Sequence, residues 1–111
     1  MNNYIENYGK LFFERYNSND STAVILSPNS PYSYEARFLS VNADNANHFK
    51  SNRFFNVDVN NFPEAEKILQ DNDIAHPTGY STKSGWVTYP IYELTDEAFE
   101  EFDRQINEYE D

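Results

Sequence analysis

The sequence predicts an α+β fold: a mainly antiparallel sheet of four to five strands with two helices, the second C-terminal and acidic. In the first half of the chain, short segments rich in aromatic and β-branched residues alternate with turn-forming residues. The second half contains two helix starts, each with a capping residue and carboxylates in the first turn. The chain has 111 residues, about the usual size of one domain. We therefore expect a single acidic domain spanning residues 1–111.

The first half of the chain predicts three strands. Residues 11–16 and 23–26 are rich in strand formers, and the polar residues between them, Asn17 to Asp20, favour a turn. These segments predict a hairpin. A third strand is predicted because largely apolar residues then recur at nearly every second position: Tyr34, Ala36, Phe38 and Val41.

The second half begins with a predicted loop over the asparagine-rich residues 42–52, followed by a strand over 54–59. A short helix is predicted next, with Asn61 as its cap and Pro63 in its first turn, ending near Asp71.

A strand is then predicted over residues 85–92, after a tight turn at residues 77–79. Pro90 has no amide hydrogen to donate, so it should lie at a sheet edge or a bulge. Alternation places Trp86 and Tyr92 on one face of this strand. Most of its rings are expected to pack in the core, and one face is expected to be available for binding.

The C-terminal helix is predicted to begin after a capping Thr95. Its apolar stripe consists of Phe99, Phe102, Ile106 and Tyr109, and its acids lie opposite: Asp96, Glu97, Glu100, Glu101, Asp103 and Glu108. Arg104 is spaced to pair with Glu100 or Glu101. The acidic face is a solvated surface, an imitation of a phosphate backbone, or a surface with another binding role. Its net charge density, about one per 4 to 5 Å of helix, is well below the roughly one per 1.7 Å of duplex DNA.

Net charge and residue usage restrict the classes of partner. With 19 acidic and 8 basic side chains, the formal charge of −11 disfavours direct binding of nucleic acid or anionic lipid and favours a basic protein. Acidity also favours solubility by itself. The absence of cysteine fits a reducing compartment. Neither a signal peptide nor a membrane-spanning segment is recognisable, so we expect a cytoplasmic protein without membrane contact.

The residue patterns argue against catalysis, a cofactor and a metal site. The segment Gly79-x-x-x-Lys83-Ser84-Gly85 lacks phosphate-loop spacing and leads into a strand instead of a helix. No serine elbow of the Gly-x-Ser-x-Gly kind is present. His76 precedes a proline and fits a turn, and the two histidines of the chain lack zinc-ligand spacing. We therefore expect a protein that is not an enzyme.

One stretch carries a more specific pattern: a strand ending in Asp-x-Asn-Asn, a short helix, Ala-x-Pro-Thr-Gly, Ser-Gly with an aromatic residue, and Tyr-Pro. The matching residues are Asp58, Asn60, Asn61, the helix from Pro63, Ala75, Pro77, Thr78, Gly79, Ser84, Gly85, Trp86, Tyr89 and Pro90. This pattern resembles an uncharacterised small-protein family, a domain of unknown function found on phages, plasmids and conjugative elements of low-GC Gram-positive bacteria. The match covers about residues 55–94, with none in the first half, and departs where Asp73 follows Asn72 in place of glycine.

The resemblance implies a genetic setting and no activity. Together with the charge, it suggests a non-catalytic inhibitor that binds a basic host defence protein acting on nucleic acid, such as a CRISPR effector or another nuclease, in anti-CRISPR or anti-restriction fashion. The alternative is a regulatory or structural interaction module of a mobile element, with an element-encoded protein as partner. The residues expected to bind the partner are Trp86, Tyr92, Asp96, Glu97, Glu100, Glu101 and Asp103.

Overall fold

The computed structural model describes residues 1–43 and 51–110, and the predicted α+β class is confirmed. Within these residues, eight strands form two antiparallel four-stranded sheets, accompanied by two helices. The first sheet has the order β1 (Tyr4–Ile5), β2 (Gly9–Arg15), β3 (Thr22–Ser27), β4 (Arg37–Phe38). The second has the order β5 (Ser40–Val41), β6 (Phe54–Val57), β8 (Val87–Leu94), β7 (Ala75–Ser84). The helices are α1 (Ala65–Asp71) and α2 (Asp96–Glu110).

The predicted hairpin of the first half is confirmed as β2 and β3, which pair from Lys10 opposite Ser27 to Arg15 opposite Thr22. All six residues of β3 are buried. The turn closes where the Tyr16 amide donates to the Ser21 carbonyl at 2.8 Å.

The predicted third strand is interrupted at Leu39. Its residues divide into β4 and β5, two residues each, which belong to different sheets. The Leu39 amide donates to the Val24 carbonyl and its carbonyl accepts from the Asp58 amide, each at 2.9 Å. Leu39 therefore bridges the two sheets. The prediction was wrong for Tyr34, which is exposed in a turn before β4.

The hydrophobic core lies between one face of the sheets and the two helices. Val24 and Leu26 of β3 and Phe55 of β6 belong to it. From α2, Phe102 contacts Phe13 edge to face, with ring centroids 6.1 Å apart.

The prediction of a tight turn at residues 77–79 was wrong. Residues 77–79 do not form a turn between elements but lie within β7, where the pairing register shifts between Pro77 and Ser81. The pairing with β8 continues on both sides of this shift, so the strand absorbs the proline and glycine as an irregularity. Pro90 is paired with Ser81 at this irregularity, as predicted for a proline at a bulge.

The start of α1 also differs from the prediction. The residue in the capping position is Glu64, without a side-chain cap bond, and Asn61 instead donates its own amide to the Asp58 carboxylate at 3.1 Å. Of the predicted loop over 42–52, residues 44–50 lie outside the described residues.

Candidate interaction surface

Helix α2 begins at a cap that ties it to the rest of the fold. The Ala98 amide donates to Thr95 Oγ1 at 3.2 Å, so the predicted cap is confirmed. The same hydroxyl donates to the Asp73 carbonyl at 2.8 Å, in the connection between α1 and β7. The direction of α2 is thereby fixed at its first turn.

The buried side chain of Gln105 fixes the far part of α2 against strand β2. Its Oε1 accepts the Phe13 amide at 2.8 Å, and its Nε2 donates to the Leu11 carbonyl at 3.4 Å. β1 pairs with Gly9 and Lys10, and the Leu11 amide donates to the Asn3 carbonyl at 2.7 Å. Gln105 supplies partners for the next groups on this edge of β2, the Leu11 carbonyl and the Phe13 amide. Sequence reasoning missed Gln105; the available signal was a polar residue beside the apolar stripe.

Glu101 belongs to the contact between α2 and β2, which we call the α2–β2 joint. It does not lie on the exposed acidic face on which it was predicted. Its side chain is only 13% exposed. It accepts hydrogen bonds from Arg104, from Gln105 Nε2 at 2.7 Å and from Asn3 Nδ2 at 2.9 Å. The bond from Arg104 is the main cause that lowers the pKa of Glu101 to about 2. Its carboxylate is therefore engaged within the fold.

The Arg104 guanidinium pairs with two carboxylates on its own helix. The predicted pair with Glu101 is present, and Glu108 Oε1 lies 2.7 Å from Arg104 Nη1. Asp96 at the start of α2 is paired with Arg53, whose guanidinium lies over the Phe99 ring. These pairs neutralise part of the charge of the helix.

The remaining predicted acids form an unpaired row, which we call the outer acidic face: Glu97, Glu100 and Asp103. All three are exposed, and none has an ion pair or side-chain hydrogen bond within residues 1–43 and 51–110. They recur every three residues, so they extend over about 9 Å of helix. The structure thus keeps three predicted acids fully available to solvent.

A second exposed feature is the tip of the β7–β8 hairpin. Ser84 pairs with Val87, so Gly85 and Trp86 form a two-residue turn, with a positive φ of 62° at Gly85. The Trp86 side chain is fully exposed, and Tyr80 on β7 is 65% exposed. A fully exposed tryptophan is unusual because burial of its large ring stabilises a fold.

Tyr92 is not on this surface, and its prediction as a binding residue conflicts with its burial. Only 1% of it is exposed. Its hydroxyl donates to Glu66 Oε1 at 2.8 Å and accepts from Gln70 Nε2 at 2.9 Å. Burial is the main cause that raises its pKa to about 12. Trp86 lies six residues away, about 20 Å along β8, so the structure does not bring the two rings together.

Comparison with known protein families gives one match. The family model described as a domain of unknown function, DUF4313, matches residues 10–111. The chain belongs to this family. The similarity to an uncharacterised family is thus established. The match to the DUF4313 domain extends well beyond residues 55–94, into the first half of the chain. No curated protein and no solved structure matches the chain.

The polar side chains of His76, Ser84 and Asp58 are dispersed in this DUF4313 domain. His76 Nε2 lies 3.4 Å from Glu93 Oε1, on the neighbouring strand. Ser84 lies opposite Val87 and His76 opposite Glu93, six residues apart on β8, so the two are about 20 Å apart along the sheet. The Asp58 carboxylate accepts the Asn61 amide before α1. Across the described residues, no three side chains of the His, Asp and Glu types are grouped as metal ligands, and no helix is long and apolar enough to cross a membrane.

Proposed function

We propose that the chain is a non-catalytic protein-binding inhibitor, encoded by a phage or another mobile element and acting in the cytoplasm of a bacterial host. Its partner is a basic defence protein that binds nucleic acid, such as a CRISPR effector or another nuclease. The observation that carries the proposal is the outer acidic face: Glu97, Glu100 and Asp103 are exposed and have no ion pair within the described residues. Their helix is held against the fold at its first turn and at Gln105.

A helix held against the fold suits a basic partner because little backbone freedom is lost when its carboxylates make contact. Lys and Arg side chains that line a nucleic-acid channel are arranged to meet anions, and a net charge of −11 draws such a surface toward this chain. Three charges over about 9 Å are sparser than duplex phosphates, so the acids steer and orient the encounter. The exposed Trp86 ring supplies an apolar anchor of the kind that dominates binding energy.

The proposal is tested first by capture of the partner. The tagged chain is mixed with host lysate at low salt, and the retained proteins are identified by mass spectrometry and washed with high salt. We expect a basic nucleic-acid-binding protein that is released by salt, because exposed charges are screened. The captured protein should lose its affinity for nucleic acid when the chain is added. Failure to retain any such protein would refute the proposal.

A pair of charge variants with matched controls assigns the contact to α2. Glu97→Lys with Glu100→Lys reverses two acids of the outer acidic face. Glu6→Lys with Glu64→Lys reverses two exposed acids elsewhere, and each pair includes one acid at a helix start. Both variants change the net charge equally. We expect the first pair to weaken binding of the captured protein at least roughly tenfold, and the control pair to have a much smaller effect.

A second candidate function follows from the fully exposed Trp86. In this alternative, the chain is a regulatory or structural interaction module that contacts an element-encoded protein through the aromatic hairpin tip. Apolar burial is far less sensitive to salt than exposed ion pairs. Binding that survives high salt, tolerates reversal of Glu97 and Glu100, and is lost in Trp86→Ala would favour this alternative over the acidic contact.

A further inference from the structure

A cavity separate from the outer acidic face lies beside the β1–β2 turn. Its volume is about 600 Å³, within the range of small-molecule sites. The residues that matter for its chemistry are two tyrosines, two cations, one carboxylate and a proline: Tyr4, Tyr8, Lys10, Arg37, Glu35 and Pro28.

In a strongly acidic protein, this cavity brings together two cations that have no ion pair within the described residues. Arg53, Lys67 and Arg104 each pair with a carboxylate. Lys10 and Arg37 make no such pair with any residue that the structure describes. Two unneutralised cations at one cavity favour an anionic ligand.

Aromatic contacts hold Arg37 at the cavity. Its guanidinium carbon lies 3.9 Å from the centroid of the Phe62 ring and 5.8 Å from that of Tyr8. Stacking uses the flat faces of a guanidinium and leaves the in-plane N–H donors for other partners. Those donors match the oxygens of a phosphate group.

The wall of the cavity is fixed by a glycine. Gly9 has a φ of +104°, and a Cβ there would lie 2.5 Å from the Ser27 carbonyl oxygen and 2.7 Å from Pro28 Cα. The β1–β2 turn therefore packs directly on the backbone at the end of β3. The cavity is preformed, so little ordering is required when a ligand binds.

We propose that this cavity binds a nucleoside monophosphate. Lys10 and Arg37 contact the phosphate, whose two negative charges match the two cations. The base packs against the rings of Tyr4 and Tyr8. Glu35 also lines the cavity, and one of its carboxylate oxygens accepts from Asn29 Nδ2 at 3.1 Å. In this proposal the other oxygen accepts hydrogen bonds from the ribose hydroxyls. A nucleic-acid polymer is disfavoured by the net charge of −11.

A neighbouring hollow of about 200 Å³ is the less suitable anion site. It shares Lys10 with the larger cavity, but its second cation is Arg104. That guanidinium already pairs with Glu101 and Glu108.

The test is calorimetric titration of the intact chain with AMP, GMP, CMP and UMP at low salt, beside the nucleosides and inorganic phosphate. At least one nucleotide should bind saturably with Kd below about 1 mM, and its nucleoside and inorganic phosphate should bind roughly tenfold more weakly. No saturable binding of any of the four nucleotides overturns the proposal. Inorganic phosphate binding as tightly as the best nucleotide also overturns it.

Single substitutions test whether Lys10 and Arg37 contact the phosphate group of the nucleotide. Lys10→Ala and Arg37→Ala should each weaken nucleotide binding roughly tenfold. Lys83→Ala is the matched control because Lys83 is also exposed and unpaired within the described residues but lies on the β7–β8 hairpin. Because Arg37 packs on Phe62, Lys10→Ala is decisive if Arg37→Ala destabilises the fold. Equal losses in Lys10→Ala and Lys83→Ala would overturn the site.

Discussion

The β2–β3 and β7–β8 hairpins are built from the same antiparallel pairing but occupy different environments. Every residue of β3 is buried, whereas only Ala75 and Thr82 are buried among the ten residues of β7. Helix α2 protects the edge of β2 through Gln105. The second hairpin ends instead in a fully exposed Trp86.

The difference indicates that the two hairpins contribute unequally to the stability of the fold. Burial of apolar side chains in the first stabilises the fold. The distal half of the second contributes little buried area and presents its largest ring to solvent. Substitutions in the two hairpins should therefore have very different effects on stability.

The largest effect is expected for Phe13, which is completely buried and contacts Phe102. Phe13→Ala should lower the free energy of unfolding by about 3 to 5 kcal/mol, through lost burial and a cavity. Urea titration followed by circular dichroism measures this loss. If Phe13→Ala does not fold, Phe13→Leu gives a smaller, measurable loss. A loss below about 1 kcal/mol would show that this hairpin is not the stabilising one.

The joint between α2 and β2 comes next. Gln105→Ala removes the acceptor for the Phe13 amide and leaves that buried donor unsatisfied, so we expect a loss of about 2 to 3 kcal/mol. Hydrogen exchange at the Phe13 amide should accelerate more than at other β2 amides. Asn107→Ala, at an exposed position of the same helix, is the control and should change little. Unaltered exchange at Phe13 would contradict the role assigned to Gln105.

A fall in pH should weaken the contact between α2 and β2, because it protonates the Glu101 carboxylate. Its pKa is about 2 in the folded chain against 4.5 normally, so its contribution is fully present above about pH 4.5 and is lost as the pH falls toward 2. Glu101→Gln should therefore be about 1 to 2 kcal/mol less stable at pH 7. The difference from wild type should shrink between pH 5 and 2. Asp103→Asn, at an exposed position of the outer acidic face, is the control and should change the free energy of unfolding at pH 7 by less than about 0.5 kcal/mol. An equal loss at pH 7 in both variants would refute the assignment.

A smaller, opposite effect is expected at Thr82 in the second hairpin. It is buried, and its Oγ1 has no hydrogen-bond partner among the residues that the structure describes. Thr82→Val preserves the shape and removes the unsatisfied hydroxyl, so we expect a gain of about 0.5 to 1 kcal/mol. Thr88→Val, at an exposed position on β8, should be nearly neutral. Destabilisation by Thr82→Val in thermal unfolding would show that the hydroxyl is satisfied.

Local patterns were sufficient to predict the first hairpin and the start of α2. The polar turn between two strand-forming segments is a short-range signal, and Thr95 precedes two acids as a helix cap should. Strand β7 could not be predicted in this way. Pro77 and Gly79 both disfavour a strand, and only pairing with β8 maintains it.

The candidate surface was predicted in part, for a similar reason. Helical spacing correctly placed Glu97, Glu100 and Asp103 on the outside. It could not show that Asn3, 98 residues away in sequence, reaches Glu101. Strand alternation placed Tyr92 and Trp86 on one face but contains no information about where along β8 the core ends.

The smallest effect on stability is expected for Trp86, because its ring makes no buried contact. Trp86→Ala should change the free energy of unfolding by less than about 0.5 kcal/mol. Tyr80→Ala, at the other exposed ring of the hairpin, provides a comparison for the same region. A loss comparable to that of Phe13→Ala would remove the distinction between the two hairpins.

The same Trp86 variant gives the most direct test of the central claim, that the surface left exposed by the fold is the surface that binds. The measurement is the affinity of Trp86→Ala for the host protein captured by the wild-type chain. We expect this affinity to fall at least tenfold, or about 1.4 kcal/mol, in a variant whose stability is unchanged. Wild-type affinity in the folded Trp86→Ala variant would contradict it.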